Sequence, residues 1–307
     1  MPGSAGETSS AFADNPGLAS AIMADGPAGL RLTKKYYVDK ASEEVYDVGF
    51  IGSIEQGLFK KIEKPENSTE MYQYCTAFPV GTMLAQTFDT ELAEEVGRHV
   101  AEEMTEYHVT WWLAPGMNIQ RNPLCGRNFE YFSEEPLLSG KIAAAITRGV
   151  QSMPGAGTTI KHFACNNQED NRIGSDSIIS ERALREIYLR GFEIAVKESQ
   201  PACIMSSYNL INGIHTANSY DLCTKVLRDE WGFKGIVMTD WATTRPEAGS
   251  ISHKCIQAGN DLIMPGTQAD IDDIIDANEK GILSDNDILI CAKRIVAAIF
   301  KSNAYER

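Results

Sequence analysis

Residues 181–198, ERALREIYLRGFEIAVKE, followed after a short gap by residues 202–206, ACIMS, decide the fold of this chain. The first stretch carries apolar side chains at helical spacing, and Ser180 stands where a helix N-cap is expected. The residues on that apolar face are Leu184, Ile187, Tyr188 and Ala195. The second stretch is a short apolar run of strand length. The pair predicts a helix over Glu181–Glu198 followed by a strand over Ala202–Ser206.

The same alternation of short apolar runs and longer helical patterns continues in both directions along the chain. The other predicted strands are Ala21–Ala24, Gly81–Leu84, Val109–Leu113, Thr158–Lys161, Gly235–Thr239 and Asp261–Met264. The other predicted helices are Thr90–Tyr107, Glu134–Gln151 and Asp285–Lys301. Alternating strands and helices are typical of a parallel sheet built from βα units. The pattern predicts an α/β fold, a TIM-like (β/α)8 barrel that is incomplete at its N-terminus.

An open, doubly wound sheet is the competing architecture. Such sheets often bind nucleotides through GxGxxG or GxxxxGK[ST] loops, and neither motif occurs in this sequence. The glycine-rich residues 154–157 precede a predicted strand, whereas a phosphate-binding loop follows one. Leu32–Thr76 has little sustained periodicity, and we interpret it as an insertion on the rim of the barrel.

The net charge of the chain is -14 at pH 7. An acidic protein of this kind is repelled by nucleic acid and by anionic membrane surfaces, so we expect neither as a partner. The N-terminal residues MPGSAGETSS show no secretory signal, and no apolar run is long enough to span a membrane. The 7 cysteines form no CxxC pair and suggest no disulfide framework. These features predict a reduced, cytoplasmic setting.

Polar side chains that suit a sugar site follow the predicted strands. They are Asp25, Arg127, Lys161, His162, Arg172, Tyr208, Asp240 and Trp241. Residues at the carboxyl ends of barrel strands converge on one mouth, so we expect these groups to lie together. Charged groups hydrogen-bond sugar hydroxyls, and an indole covers an apolar sugar face. A retaining glycosidase needs an ionised carboxylate nucleophile, and neighbouring Lys and Arg residues lower a carboxylate pKa in that direction.

Five segments carry a likeness to a known family. They are Asp25–Arg31 (DGPAGLR), Ala114–Pro136 (APGMNIQRNPLCGRNFEYFSEEP), Lys161–Arg172 (KHFACNNQEDNR), Met205–Asn209 (MSSYN) and Gly235–Trp241 (GIVMTDW). In their content, order and spacing the sequence resembles glycoside hydrolase family 3, and the likeness spans most of the chain apart from the insertion. The segment KHFACNNQ stands where the family's β-N-acetylglucosaminidases have a KHFPGHG-like motif. This difference favours the glucosidase and xylosidase branch.

The resemblance implies a role for each of these residues. Asp240 matches the catalytic nucleophile, and Trp241 flanks the innermost sugar subsite. The positions that match sugar-gripping residues are Asp25, Arg127, Lys161, His162, Arg172 and Tyr208. The implied reaction is retaining hydrolysis of terminal β-D-glucosyl or xylosyl residues from a β-glucoside or short β-linked oligosaccharide.

The resemblance also implies a missing partner in catalysis. Relatives carry the acid/base Glu on a second, α/β-sandwich domain, and no Glu here matches that position. We therefore expect residues 1–307 to form a single barrel domain whose acid/base comes from another domain or chain. We expect Glu169 and Asp170 to serve in a solvated loop or an ion pair. No metal or cofactor is predicted, because the remaining histidines show no ligand spacing.

Other functions remain open from the sequence. The pocket could bind sugar without turnover, or it could transfer the glycosyl group to an acceptor other than water. A different barrel enzyme, such as an aldolase, would use Lys161 as a Schiff-base amine. An incomplete barrel would also expose strand edges, which predicts dimerisation or aggregation.

Overall fold

The computed structural model describes residues 2–8, 17–46, 64–245 and 248–305. Its strands are β1 (Gly6–Glu7), β2 (Ile22–Asp25), β3 (Lys35–Asp39), β4 (Val45–Tyr46), β5 (Ser68–Tyr72), β6 (Trp111–Leu113), β7 (Gly157–Phe163), β8 (Asp176–Ser177), β9 (Cys203–Ser206), β10 (Leu210–Ile211), β11 (Ile214–His215) and β12 (Ile236–Met238). Its α-helices are α1 (Gly81–Ala85), α2 (Thr90–Glu106), α3 (Pro136–Gln151), α4 (Glu181–Ala183), α5 (Arg190–Ser199), α6 (Ser252–Ala258), α7 (Gln268–Glu279) and α8 (Asp285–Phe300). Short 3-10 turns cover Asn128–Glu130, Thr216–Asn218 and Asn303–Tyr305, and π-helical segments cover Leu184–Tyr188 and Asp221–Glu230.

The central sheet is 6-stranded, in the order β1, β2, β6, β7, β9, β12. β1 is antiparallel to β2, and the remaining neighbouring pairs are parallel. Helical segments connect the successive parallel strands, as βα units require. Beyond β12, a single parallel bridge from Met238 to Leu262 continues the sheet among the described residues. The sheet curls as part of a barrel, and the expectation of an incomplete TIM-like α/β barrel is confirmed.

The two faces of the sheet bury different sets of side chains, because successive residues of a strand point to opposite faces. Trp112 packs in the layer between the sheet and helices α2, α3 and α5. Trp111 packs on the inner side with Met23 and Met205. Each buried aromatic side chain removes about 150–250 Å² from water, so this tryptophan pair ties both layers to β6. Both tryptophans are buried, each 2% exposed.

Helix α8 closes the amino end of the curled sheet. Its Ile299 lies in the same buried cluster as Trp111. Just after the helix, the backbone N–H of Asn303 donates to Gly155 O at 3.2 Å, and its side-chain amide donates to Val109 O at 3.1 Å. Because Gly155 and Val109 lie two residues before β7 and β6, these bonds hold the end of α8 against the amino ends of the strands, opposite their carboxyl ends.

One strand prediction was wrong, and a second was only partly met. Gly81–Leu84 forms helix α1 instead of a strand, since a short apolar run does not distinguish a strand from one buried helical turn. Its Thr82 side chain lies 2.9 Å from the carbonyl oxygens of both Asn128 and Tyr131, which fixes the helix against the following loop. Asp261–Met264 joins the sheet through one bridge only.

The insertion over Leu32–Thr76 contains a small sheet. The sequence did not predict this sheet, because it shows little periodicity there. Strands β4, β3 and β5 form a 3-stranded antiparallel unit in that order. Residues 47–63 of the insertion lie outside the described part of the chain. The predicted helix over Glu181–Glu198 is also more complex than expected, because the π-helical segment separates α4 from α5.

Candidate active site

One pocket of about 830 Å³ opens at the carboxyl ends of the sheet strands. All the site residues predicted from sequence line it, namely Asp25, Arg127, Lys161, His162, Arg172, Tyr208, Asp240 and Trp241. They arrive from separate stretches of the chain, on β2, on β7 and on the loops that follow β6, β7, β9 and β12. The structure therefore brings the whole predicted set together, as convergence of parallel strand ends requires.

Asp25, Lys161 and Arg31 form a compact charged cluster at one side of the pocket. The Lys161 ammonium donates to Asp25 Oδ1 at 2.7 Å, and the Arg31 guanidinium pairs with Asp25 Oδ2. Burial alone would raise the pKa of Asp25, but the charges of Lys161 and Arg31 outweigh it and lower the pKa to about 2. Asp25 is therefore an ionised group that orients two cations toward the pocket.

Arg31 is a site residue that the sequence reasoning missed. It lies in the quoted DGPAGLR segment, yet no strand end marks it. A tight loop carries it back: Gly26 and Gly29 have φ of +120° and +110°, and the Arg31 N–H donates to Asp25 O at 2.7 Å. Only glycine adopts such conformations freely. The two glycines were the available signal for a chain reversal.

Asp240 follows β12 and is 7% exposed. Its Oδ1 accepts the Trp241 backbone N–H at 2.7 Å. Its Oδ2 has no hydrogen-bond partner among the described residues and lies 3.6 Å from His162 Nε2. Both flanks of the backbone are fixed, because Thr239 N–H donates to Leu262 O and Ala242 N–H donates to Met264 O, each at 2.9 Å. Oδ1 is thus held by the backbone, and Oδ2 is buried without a hydrogen-bond partner among the described residues.

The expected lowering of the Asp240 pKa is not the net result. Burial raises the pKa of this carboxyl above its ordinary value, and this effect exceeds the opposing influence of Lys161, Arg127 and Arg172. The cations act in the direction expected from the sequence, but the depth of the pocket was not visible there. Ionisation of Asp240 therefore depends on these cations.

His162 is a neutral imidazole at the floor of the pocket. Burial lowers its pKa well below the ordinary value, and the nearby charges of Arg127 and Lys161 lower it further. Asn118 fixes the backbone here, since it accepts the His162 N–H and donates to the His162 carbonyl, both at 2.8 Å. Tyr131 Oη lies 3.3 Å from Nδ1. Held in this way, the ring presents Nε2 toward Asp240.

Arg127 and Arg172 are each held by a carboxylate. Arg127 Nε pairs with buried Glu130, and Arg172 Nη1 lies 3.0 Å from Glu169 Oε2. The ion pair expected for Glu169 is thus observed. The Arg172 guanidinium also lies 4.3 Å from the centre of the Tyr208 ring, within the range of a cation–π contact. These pairs orient two further cations at the pocket.

Tyr208 bridges two of the loops at the rim. Its hydroxyl donates to the Trp241 carbonyl at 2.7 Å, which joins the loop after β9 to the loop after β12. Met205, at the end of β9, lines the same pocket and was not singled out from the sequence as a site residue. The bond from Tyr208 fixes the backbone immediately after Asp240.

No cluster of metal-binding side chains is found among the described residues. In the described ranges, no helix is long and apolar enough to cross a membrane. The cysteines are all free thiols, and six of them are buried. Cys75 lines the pocket, and burial raises the pKa of its thiol to about 11, so it stays protonated near neutral pH.

The fold and the pocket define a class of protein: a TIM-like α/β barrel with one available carboxylate, ordered cations and aromatic groups at the mouth of its strands. The sequence matches the Glycosyl hydrolase family 3 N terminal domain over residues 58–298. The chain belongs to glycoside hydrolase family 3.

Known relatives agree with this assignment. Beta-glucosidase A of Butyrivibrio fibrisolvens is 52% identical over 62% of this chain and 22% of its own length. An exo-alpha-(1->6)-L-arabinopyranosidase of Bifidobacterium longum is 44% identical over 81% of this chain and 32% of its own length. The structure of beta-glucosidase 3B from Thermotoga neapolitana in complex with glucose superposes with a TM-score of 0.83 at 45% identity, over 99% of this chain and 38% of that chain. The chain thus spans well under half of each.

Proposed function

We propose that this chain is the nucleophile-bearing barrel of a retaining, exo-acting β-glucosidase, with Asp240 as the nucleophile. The observation that carries the proposal is the free Asp240 Oδ2, which is buried and has no hydrogen-bond partner among the described residues. A buried carboxylate oxygen without a partner is costly unless a ligand completes its surroundings. The positive charge that develops at the anomeric carbon of a bound sugar in the oxocarbenium-like transition state would supply that contact.

The reaction follows from the double-displacement chemistry of retaining glycosidases. A carboxylate oxygen of Asp240 forms a bond to the anomeric carbon while the bond to the leaving oxygen breaks, and a general acid gives that oxygen its proton. Water then gives a proton to the same acid/base group and attacks the anomeric carbon, and the bond to Asp240 breaks to release the sugar with both carboxyl groups regenerated. Asp25 does not serve as the acid near neutral pH, because a carboxyl with a pKa of about 2 holds no proton there.

We propose that the acid/base is a Glu from a second domain or a partner chain, and that residues 1–307 form a single barrel domain with an insertion at 32–76. The described carboxylates of the pocket support this division of labour. Asp25 is paired with two cations, and Glu130 is paired with Arg127. Neither is placed as a free proton donor to a leaving group.

The remaining site residues hold the sugar in this proposal. Those that would hydrogen-bond its hydroxyls are Asp25, Arg127, Lys161, His162, Arg172 and Tyr208. A neutral His162 donates from one ring nitrogen and accepts at the other, which suits a hydroxyl. Trp241 would cover an apolar face of the ring. The ligand would be a β-glucoside or a short β-linked oligosaccharide.

The proposal is tested by incubating the purified chain with 2,4-dinitrophenyl 2-deoxy-2-fluoro-β-glucoside and measuring the intact mass. Its leaving group departs without protonation, so labelling reports the nucleophile independently of the acid/base. We expect one fluoroglucosyl adduct on the wild-type chain and on Asp221→Asn, whose carboxylate pairs with Lys225 at the surface. Asp240→Asn should show none. Adduct formation by Asp240→Asn at the wild-type rate would overturn the assignment.

A pentopyranosidase is a second candidate, favoured by the 44% identity to the arabinopyranosidase. A pentopyranoside lacks the hydroxymethyl group of glucose, so the two candidates differ in the ligand that fills the pocket. Labelling by the corresponding 2-fluoro-β-xyloside or 2-fluoro-α-L-arabinopyranoside at a faster rate than by the glucoside would favour the pentoside. The reverse order would support the glucoside.

The experiment also separates the other interpretations. A folded chain that binds glucose and takes no label would be a sugar-binding module. An aldolase-type site needs a free neutral amine at Lys161, whereas this amine is engaged by Asp25 at 2.7 Å. Borohydride trapping of a carbonyl substrate on Lys161 would contradict the glycosidase proposal.

A further inference from the structure

A second pocket, of about 450 Å³, lies at the opposite end of the sheet from Asp240. The residues that line one side of it come just before the strands β7, β9 and β12. They are Gly155, Ala156, Pro201, Ala202, Lys234 and Gly235. Helix α8 and the residues after it form the other side, through Lys293, Arg294, Ala297, Ala298, Lys301 and Ser302. We call this cavity the basal pocket, and its volume is typical of small-molecule sites, which measure roughly 300–1,000 Å³.

The charged side chains of the basal pocket all have the same sign. Its cationic residues are Lys234, Lys293, Arg294 and Lys301, and none of the residues that line it carries a carboxylate. The chain as a whole has the opposite balance, with 42 Asp and Glu residues against 28 Lys and Arg residues. The basal pocket is therefore a local positive region on an acidic protein, and such a region attracts anions.

The three lysines of the basal pocket are exposed, and none of them forms an ion pair within the described part of the chain. Other surface lysines of the protein do form such pairs. Lys225 pairs with Asp221, and Lys280 pairs with Asp276, each across one helical turn. The ammonium groups at the basal pocket thus remain available to an anionic ligand.

Arg294 is a more rigid cation in the wall of the basal pocket. Its Nη1 donates to Asp261 Oδ1 at 3.0 Å, while Arg228 Nη2 donates to Asp261 Oδ2 at 2.6 Å. The side chains of Asp261 and Arg228 are 0% and 8% exposed. One carboxylate shared by two guanidinium groups leaves a net positive charge, and water screens a buried charge only weakly.

Helix ends do not account for all of these cations. The carbonyl groups at the carboxyl end of a helix attract Lys and Arg, but this effect falls off within the last turn. Lys301 is the C-cap of α8, where a cation is expected. Lys293 and Arg294 lie in the middle of the same helix, so the helix dipole does not explain their position.

The floor between the cations is apolar. Trp111, Pro201 and the four alanines at positions 156, 202, 297 and 298 line it. An ion pair beside such a surface is stronger than one in water, because the local dielectric constant is lower. The floor also offers an apolar contact to the uncharged part of a ligand.

We propose that the basal pocket binds an organic diphosphate. Its phosphate oxygens contact Lys293, Lys301 and Arg294, and its organic part lies on the apolar floor. Lys and Arg are the side chains that bind phosphate through charge-assisted hydrogen bonds. A ligand with a single negative charge would leave most of these cations unmatched, whereas a diphosphate matches several of them. The site lies away from Asp240 and does not depend on the proposed glycosidase function.

Titration calorimetry with two probes tests the proposal, in magnesium-free buffer of low ionic strength. ADP carries a diphosphate and an organic part, and inorganic pyrophosphate carries the charges alone. The wild-type chain should bind both, with pyrophosphate about fivefold weaker because it makes no contact with the floor. The double variant Lys293→Gln/Lys301→Gln should weaken both probes about tenfold or more, because it removes two charged hydrogen-bond donors.

A matched control removes the same two charges from elsewhere on the surface. Lys254 and Lys280 are exposed and do not line the basal pocket. The double variant Lys254→Gln/Lys280→Gln should keep both affinities within about twofold, because salt screens distant surface charges. Arg172→Gln, in the pocket of Asp240, should also keep them.

Each contrary result has a distinct meaning. A folded wild-type chain that binds neither probe overturns the site, and so does an equal loss of affinity in the two lysine double variants. Affinity that persists in Lys293→Gln/Lys301→Gln and falls in Arg172→Gln places the phosphates in the pocket of Asp240, which also overturns it. Pyrophosphate that binds as tightly as ADP overturns the organic part of the proposal. Fluoroglucoside labelling of Asp240 is measured separately, so the proposed function stands or fails by itself.

Discussion

Replacement of Lys161 by methionine removes the buried cation that the structure places against Asp25. The side chain of Lys161 is 5% exposed, and its ammonium donates to Asp25 Oδ1 at 2.7 Å. Together, Lys161 and Arg31 lower the pKa of Asp25 from 3.8 to about 2. At about 1.36 kcal/mol per pKa unit, that difference corresponds to roughly 2–3 kcal/mol of folding stability above pH 5.

The direction in which this contribution changes with pH follows from proton linkage. A carboxyl whose folded pKa is depressed stabilises the fold above its unfolded pKa, and the contribution is lost as pH falls through the folded value. By pH 3 about half of it should be gone. Because Arg31 remains in Lys161→Met, we expect a loss of about 2 kcal/mol in the free energy of unfolding at pH 7 and a smaller loss at pH 3.

Urea unfolding followed by tryptophan fluorescence at both pH values measures these losses. Lys225→Met is the control, because Lys225 forms an exposed pair with Asp221 and such pairs contribute about 0–1 kcal/mol. A Lys161→Met variant that is no less stable than the control, or that loses as much at pH 3 as at pH 7, would refute the electrostatic reasoning.

Three further substitutions probe the loops and charges of the site. Gly29→Ala should lower the free energy of unfolding by about 3 kcal/mol, since its φ is +110° and a Cβ would lie 2.2 Å from the Thr76 carbonyl oxygen. Gly213→Ala is the control: its φ is +85° with open space around it, and it should cost only about 1 kcal/mol. Tyr208→Phe should slow fluoroglucoside labelling about tenfold and lower the free energy of unfolding by only about 1 kcal/mol, and an unchanged rate would exclude a role for this hydroxyl in labelling. Arg172→Gln should shift the acid limb of the labelling pH profile to higher pH, because this guanidinium opposes the raised pKa of Asp240; a shift to lower pH would contradict that account.

The sequence predicted the parts of the site that follow strands. Asp25, Lys161 and Asp240 each stand at or just after an apolar run, and the parallel sheet brings them to one mouth. Arg31 was missed because a glycine-dependent loop, and not a strand end, returns it to Asp25. Patterns of strand and helix therefore locate the floor of such a pocket better than its walls.

The errors in the fold have similar physical causes. Gly81–Leu84 was assigned to a strand because its apolar content is compatible with either conformation, and tertiary packing against the turn at Glu130 decides for a helix. The raised pKa of Asp240 and the neutral state of His162 depend on burial, which follows from the assembled pocket. Location of the barrel in the cytoplasm, and its dimerisation through exposed strand edges, stay predictions.

The central claim is that Asp240 forms the covalent glycosyl-enzyme, and locating the adduct within the chain tests it most directly. After labelling with the dinitrophenyl 2-fluoroglucoside, proteolysis and fragmentation mass spectrometry assign the modified residue. The account predicts a single label on Asp240, within the peptide that contains Gly235–Trp241. A label on Asp25 or Glu130, or no label on a folded chain, would contradict it.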